Sequence, residues 1–218
     1  MKRLLTILIF IHGIVSAQTT GYEVDALVTP RKNEKVITVG GEKADIKGFS
    51  NQAIQLAVDA LPPQGGTVKM EAGVFSIMAP VKLRSNVRLI GSGTTTLLKR
   101  IHGYHSRFVI DADYGELKLT VENVSGFKPG MSIQINDKRY AECWDVSTAV
   151  ITAIVGDTLY FDTHLIRDYE VEQYGMVTNA GSCVSAIGAE DVFMSGFAIN
   201  GNKEKNDLLD GCNGGGIV

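Results

Sequence analysis

One helical pattern followed at once by closely spaced strand patterns is the feature that most constrains the fold of this chain. Ser50 is a favoured N-cap residue at the start of the helical stretch. Four apolar residues then recur at the i, i+3, i+4 and i+7 positions that share one helix face: Ile54, Ala57, Val58 and Leu61. The helix is therefore expected to bury this face against other elements.

The strand patterns begin directly after this helix. Pro62-Pro63 ends the helical pattern and Gly65-Gly66 turns the chain. Val68 and Met70 then alternate with polar residues, and further short apolar runs follow at 74–77 and 87–90. Because strands do not alternate with helices here, the pattern predicts an all-β fold with one helix covering an end of it, not a βαβ fold.

Residues 117–170 follow a different pattern. Apolar residues alternate with polar ones at 131–135, and the apolar runs at 150–154 and 158–162 flank Gly156-Asp157, a tight-hairpin signal. Since hairpins join antiparallel strands, this segment is predicted to be a small inserted β module. The alternative is that it continues the main sheet as long loops.

Two stretches on either side of this segment resemble each other. "SNVRLIGSGTTTLL" from Ser85 and "AEDVFMSGFAINGN" from Ala189 share a polar turn, an apolar strand, a Gly step and a second strand. Such internal similarity is typical of stacked coils, each of which buries its apolar face against its neighbours.

The sequence resembles the pectate-lyase superfamily in three stretches. These are "FSNQAIQLAVDALPPQGGTVKMEAGVFSI", "VENVSGFKPGMSIQI…VITAIVGDTLYFDTHLIRDY" and "GFAINGNKEKNDLLDGCNGGGI", which together span roughly residues 41–218. The resemblance implies a right-handed parallel β-helix with an N-terminal capping helix and an inserted antiparallel β module. Asn200 stands where the family pattern often carries Asp, and neither the hydrolase motifs nor the lyase histidine motif of the family is present.

The resemblance also implies a polysaccharide as substrate or ligand. The leading hypothesis is a lyase or glycoside hydrolase acting on acidic glycans such as pectin-like uronates. A non-catalytic β-helix for glycan binding or surface attachment, and a rigid spacer, are the alternatives. No catalytic residue is identified, and calcium held on Asp and Glu oxygens is the cofactor that a lyase of this kind would use.

The polar residues near the C-terminus are the candidates for glycan binding. Their amide and carboxylate groups suit sugar hydroxyls, and they are Asn200, Asn202, Glu204, Asp207 and Asp210. The alternative is that these Asn and Asp residues only shape turns between coils.

Two weaker signals lie elsewhere. His102 and His105 have a spacing that could reach one metal ion, but further ligands are missing from the pattern, so no metal site is predicted. Trp144, Tyr140 and Tyr169 could stack on sugar rings or fill the core of the module.

The N-terminus carries an export signal. Residues 1–17 combine a basic start, an apolar run and a small-residue cleavage site, which predicts a signal peptide and a secreted or periplasmic protein. The apolar run is too short for a stable membrane anchor, and the net charge of −3 argues against a nucleic-acid partner. Residues 18–40 are predicted to form an arm, 41–116 the helix and first coils, 117–170 the module, and 171–218 the resumed coils.

The last two residues, Ile217 and Val218, have the pattern of a strand that is only beginning. An uncapped stack of coils exposes unpaired backbone groups. This pattern therefore favours the N-terminal part of a longer protein, with a natural short form as the alternative.

Overall fold

The computed structural model describes residues 34–142, 144–207 and 216–218. The predicted signal peptide (1–17), most of the predicted arm, Cys143, Asp210 and Cys212 lie outside the described residues. The described residues form a mostly β fold with one α-helix, α1 (Asn51–Ala60). The strands are β1 (Val36–Gly40), β2 (Ile46–Lys47), β3 (Gly66–Met70), β4 (Gly73–Ile77), β5 (Val81–Lys82), β6 (Val87–Ile90), β7 (Thr96–Arg100), β8 (His105–Arg107), β9 (Lys118–Thr120), β10 (Ser132–Asn136), β11 (Ser147–Val155), β12 (Thr158–Phe161), β13 (Met176–Asn179), β14 (Val184–Ser185), β15 (Phe193–Ser195) and β16 (Ala198–Asn200).

Parallel strands form three separate sheets. Their strand orders are β15-β6-β3-β1-β2, β16-β7-β4 and β14-β5. The chain passes through the sheets in a fixed order: β3, β4 and β5 lie in the first, second and third, then β6 and β7 in the first and second. After the long segment that contains β8 to β13, the chain continues this order, with β14 in the third sheet, β15 in the first and β16 in the second. From β3 onward, consecutive strands of these parallel sheets therefore lie in different sheets, and each pairs with a strand from another pass of the chain through the sheets.

The two similar sequence stretches lie directly on each other, as predicted. β15 pairs with β6 in parallel, and β16 pairs with β7 so that Ile199 is opposite Leu98. The shared Gly step allows this stacking, because a Cβ on Gly91 would lie 2.2 Å from the carbonyl oxygen of Gly196. Gly196 also has a φ of +70°, which few side chains tolerate.

The helix α1 has the predicted N-cap and packs on the strands. The Oγ atom of Ser50 accepts a hydrogen bond from the backbone N–H of Ala53 at 3.2 Å. The guanidinium of Arg84 donates to the carbonyl oxygen of Leu61 at 2.5 Å and so satisfies the C-terminal end. The four predicted apolar residues are buried in one core with the strands. No helix among the described residues has the length and apolar character needed to span a membrane.

The interruption between β7 and β14 is a six-stranded antiparallel sheet with its own core. Its order is β8-β13-β10-β11-β12-β9, and the predicted hairpin joins β11 to β12. Its apolar face is buried around Phe108, Ile133 and Tyr169. Strands β8 and β13 lie outside the predicted limits of 117–170, and β1 lies within the predicted arm. The division into domains stays a prediction, as does the right-handed parallel β-helix.

The two ends of this insert lie side by side. A guanidinium nitrogen of Arg100, the last residue of β7, donates to the carbonyl oxygen of Asn179 at 3.3 Å. The backbone N–H of Asn179 donates to the carbonyl oxygen of Tyr104 at 2.9 Å. The chain therefore leaves the parallel sheets and returns to them at nearly the same place. Beyond β14, Ile217 forms a parallel bridge with Val184 and extends the third sheet.

Candidate functional site

An exposed histidine–carboxylate pair lies where the antiparallel sheet meets the last coil. Strand β8 presents His105, and Asp207 follows the 3₁₀ turn Lys203–Lys205. The Nδ1 atom of His105 is 2.7 Å from Oδ2 of Asp207, and the side chains are 57% and 45% exposed. An ionised carboxylate can only accept a hydrogen bond, so Nδ1 carries a proton in this pair. When the ring is neutral, Nε2 has the lone pair, and Asp207 thus favours the tautomer in which Nε2 is the proton acceptor.

The loop that carries Asp207 is docked on the start of the insert by two hydrogen bonds and a close backbone approach. The backbone N–H of Gly103 donates to the carbonyl oxygen of Lys205 at 2.5 Å. A Cβ on Gly103 would lie 2.8 Å from the same oxygen, so this approach requires glycine. The side-chain amide of Asn206 donates to the carbonyl oxygen of Ile101 at 3.0 Å. These contacts place Asp207 within reach of β8.

The residues predicted to bind glycan do not all have the same surroundings. Asp207 is paired with a histidine, whereas the side-chain oxygen of Asn200 accepts from the backbone N–H of Asn202 at 2.7 Å. The amide of Asn202 donates to the last carbonyl oxygen of β7 at 3.1 Å, so both asparagines shape the turn. Glu204 is exposed in the 3₁₀ turn, and Asp210 lies outside the described residues. Their role in glycan binding stays a prediction.

A ladder of polar residues crosses the antiparallel sheet from His105. The backbone register places Thr178 opposite His105, Gln134 opposite Thr178, and Thr148 opposite Gln134. Residues directly opposite each other share one face, and neighbouring strands are about 4.8 Å apart, so the ladder is roughly 14 Å long. Thr178 and Gln134 are buried. The ladder therefore connects the pair to Thr148 through the interior, not along an open groove.

At Thr148 the ladder reaches a cleft of about 390 Å³ between the antiparallel sheet and the third parallel sheet. Lys82 and Ser185 line it on one side, and Asp162 on the other. The Oδ1 atom of Asp162 accepts from the backbone N–H of Val150 at 2.7 Å, so this carboxylate holds the strand. The cleft thus offers polar groups for binding, but its carboxylate is already engaged.

A buried cation and a buried thiol lie together at the base of the insert. Arg100 and Cys183 are both buried. Burial raises the pKa of Cys183 to about 11, against the opposing effect of the Arg100 charge, and burial also lowers the pKa of Arg100. A neutral, inaccessible thiol is a poor nucleophile, so Cys183 has no catalytic part here.

The described residues do not provide a metal site. No group of three His, Cys, Asp or Glu side chains in 34–142, 144–207 and 216–218 could hold an ion. His105 is paired with Asp207, and the hypothetical pairing of His102 with His105 on one metal gains no further ligand. A calcium site built on three Asp or Glu side chains is thus not present in this part of the chain.

The three aromatic candidates have different surroundings. Tyr169 is fully buried in the core of the insert, and Tyr140 packs edge-on against it with ring centroids 6.2 Å apart. These two tyrosines fill the core, which was one of the two interpretations. Trp144 is 80% exposed and remains available for stacking on a ligand.

Comparisons with known proteins assign no family. No protein-family model and no curated protein sequence matches the chain. Among solved structures, the chain is similar to the tailspike Gp54 of Acinetobacter baumannii bacteriophage AP22, solved with a capsular saccharide of that bacterium (9% identity, 61% of this chain and 24% of that chain, TM-score 0.33). It is also similar to the tailspike gp61 of Pseudomonas phage phi297 (14% identity, 67% of this chain and 28% of that chain, TM-score 0.34). A third similar structure is the tailspike gp49 of Pseudomonas phage LKA1 (14% identity, 65% of this chain and 28% of that chain, TM-score 0.28). The chain spans about a quarter of the length of these proteins, and similarity at this level assigns neither family nor function.

Proposed function

We propose that this chain is an exported right-handed parallel β-helix protein that cleaves an acidic polysaccharide by elimination. Residues 1–17 serve as its signal peptide, and His105 serves as its base. The observation that carries the proposal is the exposed His105–Asp207 pair, in which the carboxylate fixes the proton on Nδ1. The resemblance of the sequence to the pectate-lyase superfamily supports the substrate class.

The elimination follows from the free nitrogen of the pair. Nε2 of His105 takes the proton from the sugar carbon that carries the uronate carboxylate. The electron pair left on this carbon forms a double bond to the neighbouring ring carbon. The bond from that neighbour to the linking oxygen breaks, and the departing oxygen takes a proton from solvent. Asp207 stabilises the imidazolium that forms, as a carboxylate partner does in other general-base sites.

Elimination fits the described residues better than hydrolysis. Glycoside hydrolysis commonly uses two carboxyl groups about 5–9.5 Å apart, one of them as an acid. Asp207 is bonded to His105, and Asp162 is bonded to backbone and hydroxyl donors. Both carboxylates therefore have structural partners, whereas Nε2 of His105 has none among the described residues.

Glycan binding without cleavage is the second candidate function. The cleft of about 390 Å³ favours it, because serine and threonine hydroxyl groups line the space without a free acid–base pair. An exposed histidine–carboxylate pair can also be a plain surface contact of little energy. The two functions differ in whether the bound glycan is consumed.

An assay on intact polysaccharides distinguishes these functions. Polygalacturonate, alginate and hyaluronate are incubated with the protein while ultraviolet absorbance and new reducing ends are measured together. Elimination raises both signals, and His105→Gln reduces both at least about 100-fold, the usual contribution of a general base. His164→Gln is the matched control, because that exposed histidine bonds only a carbonyl oxygen at 2.7 Å. Reducing ends without absorbance, or equal activity of the two variants, would contradict the proposal.

A further inference from the structure

We propose that Arg107, Lys138 and Tyr174 form a subsite that binds the carboxylate of a uronate sugar. The inference rests on the proposed function, since it names where an acidic glycan is held beside His105. It goes beyond that function because the subsite lies in the antiparallel insert, away from the parallel strands.

Two cations meet at one aromatic ring in this place. The Nζ atom of Lys138 is 3.4 Å from the ring centroid of Tyr174, and Cζ of Arg107 is 4.5 Å from the same centroid. Since both distances share the centroid, the positive groups lie within about 8 Å of each other and repel. A bound anion would relieve this repulsion.

Neither cation has a carboxylate partner among the described residues. Asp137, which precedes Lys138, is instead paired with Arg139 at 2.9 Å, and Arg139 also contacts Glu170 at 2.7 Å. The Nε atom of Arg107 is buried without any acceptor, and its guanidinium makes only a long bond of 3.3 Å to a carbonyl oxygen. A buried donor left unpaired is unfavourable, so the guanidinium of Arg107 has capacity for a further acceptor.

Hydrogen bonds hold the main chain at Tyr174 and Lys138. Tyr174 has a φ of +61°, a left-handed conformation that is unfavourable for a residue with a side chain. Its backbone N–H donates to the carbonyl oxygen of Val171 at 3.0 Å, and that of Lys138 donates to the carbonyl oxygen of Gln173 at 2.9 Å. The main chain at Tyr174 and Lys138 is therefore held before a ligand arrives, which lowers the entropy loss on binding.

The subsite shares a strand with the proposed base. His105 and Arg107 are two residues apart on β8, so their side chains point to the same face with Cα atoms about 7 Å apart. One glycan chain can thus contact both. The register places Met176 opposite Arg107 and Asn136 opposite Met176, which puts an amide in the same row.

The chemistry of the three groups selects a sugar carboxylate. A guanidinium matches a carboxylate with two parallel hydrogen bonds, and the ammonium adds a point charge. Tyr174 is 49% exposed, so it can also contact the ring of a bound sugar. A uronate sugar offers both features, whereas a simple carboxylate offers only the charge.

The test follows NMR signals of Arg107 Nε–H and the Lys138 ammonium in the full chain during titration. The ligands are glucuronate, its uncharged methyl ester, and acetate at equal ionic strength. We expect saturable shifts with glucuronate, at least tenfold weaker binding of acetate, and no saturable shift with the ester. Binding is lost in Arg107→Gln and Lys138→Gln and kept in Lys128→Gln, an exposed lysine elsewhere in the insert.

The outcomes separate this subsite from the proposed reaction. Equal binding of acetate and glucuronate, or binding that survives Arg107→Gln with the fold intact by circular dichroism, would overturn the subsite. Glucuronate binding in a protein that cleaves no glycan would leave the subsite standing and remove the reaction. Cleavage of a glycan by a protein that does not bind glucuronate at Arg107 would leave the reaction standing and remove the subsite.

Discussion

Oδ2 of Asp207 lies 2.7 Å from Nδ1 of His105, although 102 positions separate the two residues. The contact forms because β16 pairs with β7, which places the loop after β16 beside the start of the insert. Two parts of the chain with different architectures thereby share one polar pair.

Replacing Asp207 by Asn tests the orientation of the histidine. An asparagine amide can donate to Nδ1, which moves the proton to Nε2 and removes the acceptor that faces solvent. We expect Asp207→Asn to lower kcat about 10–100-fold, less than the loss of His105, with little change in KM. Nitrogen chemical shifts of the His105 ring report the tautomer directly. An unchanged tautomer with unchanged kcat would remove Asp207 from the mechanism.

Replacing Gly103 by Ala tests the docking of the Asp207 loop. The added Cβ would lie 2.8 Å from the carbonyl oxygen of Lys205, so the loop must move. We expect the free energy of unfolding to fall by about 1–3 kcal/mol, as for other overpacked sites, and hydrogen exchange to rise in residues 201–207. Gly201→Ala is the matched control, because a Cβ there meets nothing within 4 Å. Equal exchange in both variants would contradict the docking.

Acid is expected to weaken the insert through Asp137. Burial raises the pKa of this carboxyl, but hydrogen bonds from the Arg139 side chain and from three backbone N–H groups outweigh it and hold the pKa below its usual value. The stabilisation is therefore complete above about pH 4 and is lost as the pH falls through the folded-state pKa.

Denaturant unfolding at neutral pH and at about pH 3 measures this effect. We expect Asp137→Asn to lower the unfolding free energy at neutral pH by about 1.5–3 kcal/mol and to flatten its acid dependence. Asp145→Asn breaks a half-exposed pair with Arg167 and serves as the control, with an expected loss below about 1 kcal/mol. A wild-type protein equally stable at both pH values would exclude this role.

The parallel coils depend on an inward row of apolar residues. Leu98 lies between Phe75 and Ile199 in the register of the second sheet and is fully buried. Leu98→Ala is expected to lower the unfolding free energy by about 2–5 kcal/mol, because it removes buried methyl groups and leaves a cavity. Leu56→Ala on the exposed face of α1 should change it by about 0.5 kcal/mol or less. If thermal or denaturant unfolding showed comparable losses of unfolding free energy for Leu98→Ala and Leu56→Ala, this row would not be the core.

Local signals predicted much of the fold. Ser50 and the apolar face of α1 follow from capping and helical periodicity, and the hairpin follows from Gly156-Asp157. The stacking of β6 with β15 follows from the similarity of two stretches. Each of these depends on residues close in sequence or on a repeated pattern.

The candidate site was not predictable in the same way. The sequence marks His105 and Asp207 as separate polar residues, and neither residue carries a signal for a partner 102 positions away. Ser132 and Gln134 alternate with apolar residues as in a half-exposed strand, yet both are buried. Burial on the second face of β10 depends on what covers the sheet, which periodicity does not encode.

The adjacent ends of the insert, Arg100 and Asn179, have a consequence for how such a chain can vary. β7 and β14 each pair with strands of the earlier circuit, so their alignment is independent of what joins them. The length and sequence of the intervening segment can therefore change while the strands on both sides keep their alignment. Chains that share these coils can therefore differ in the surface displayed between them, and recognition can diversify without renewing the scaffold.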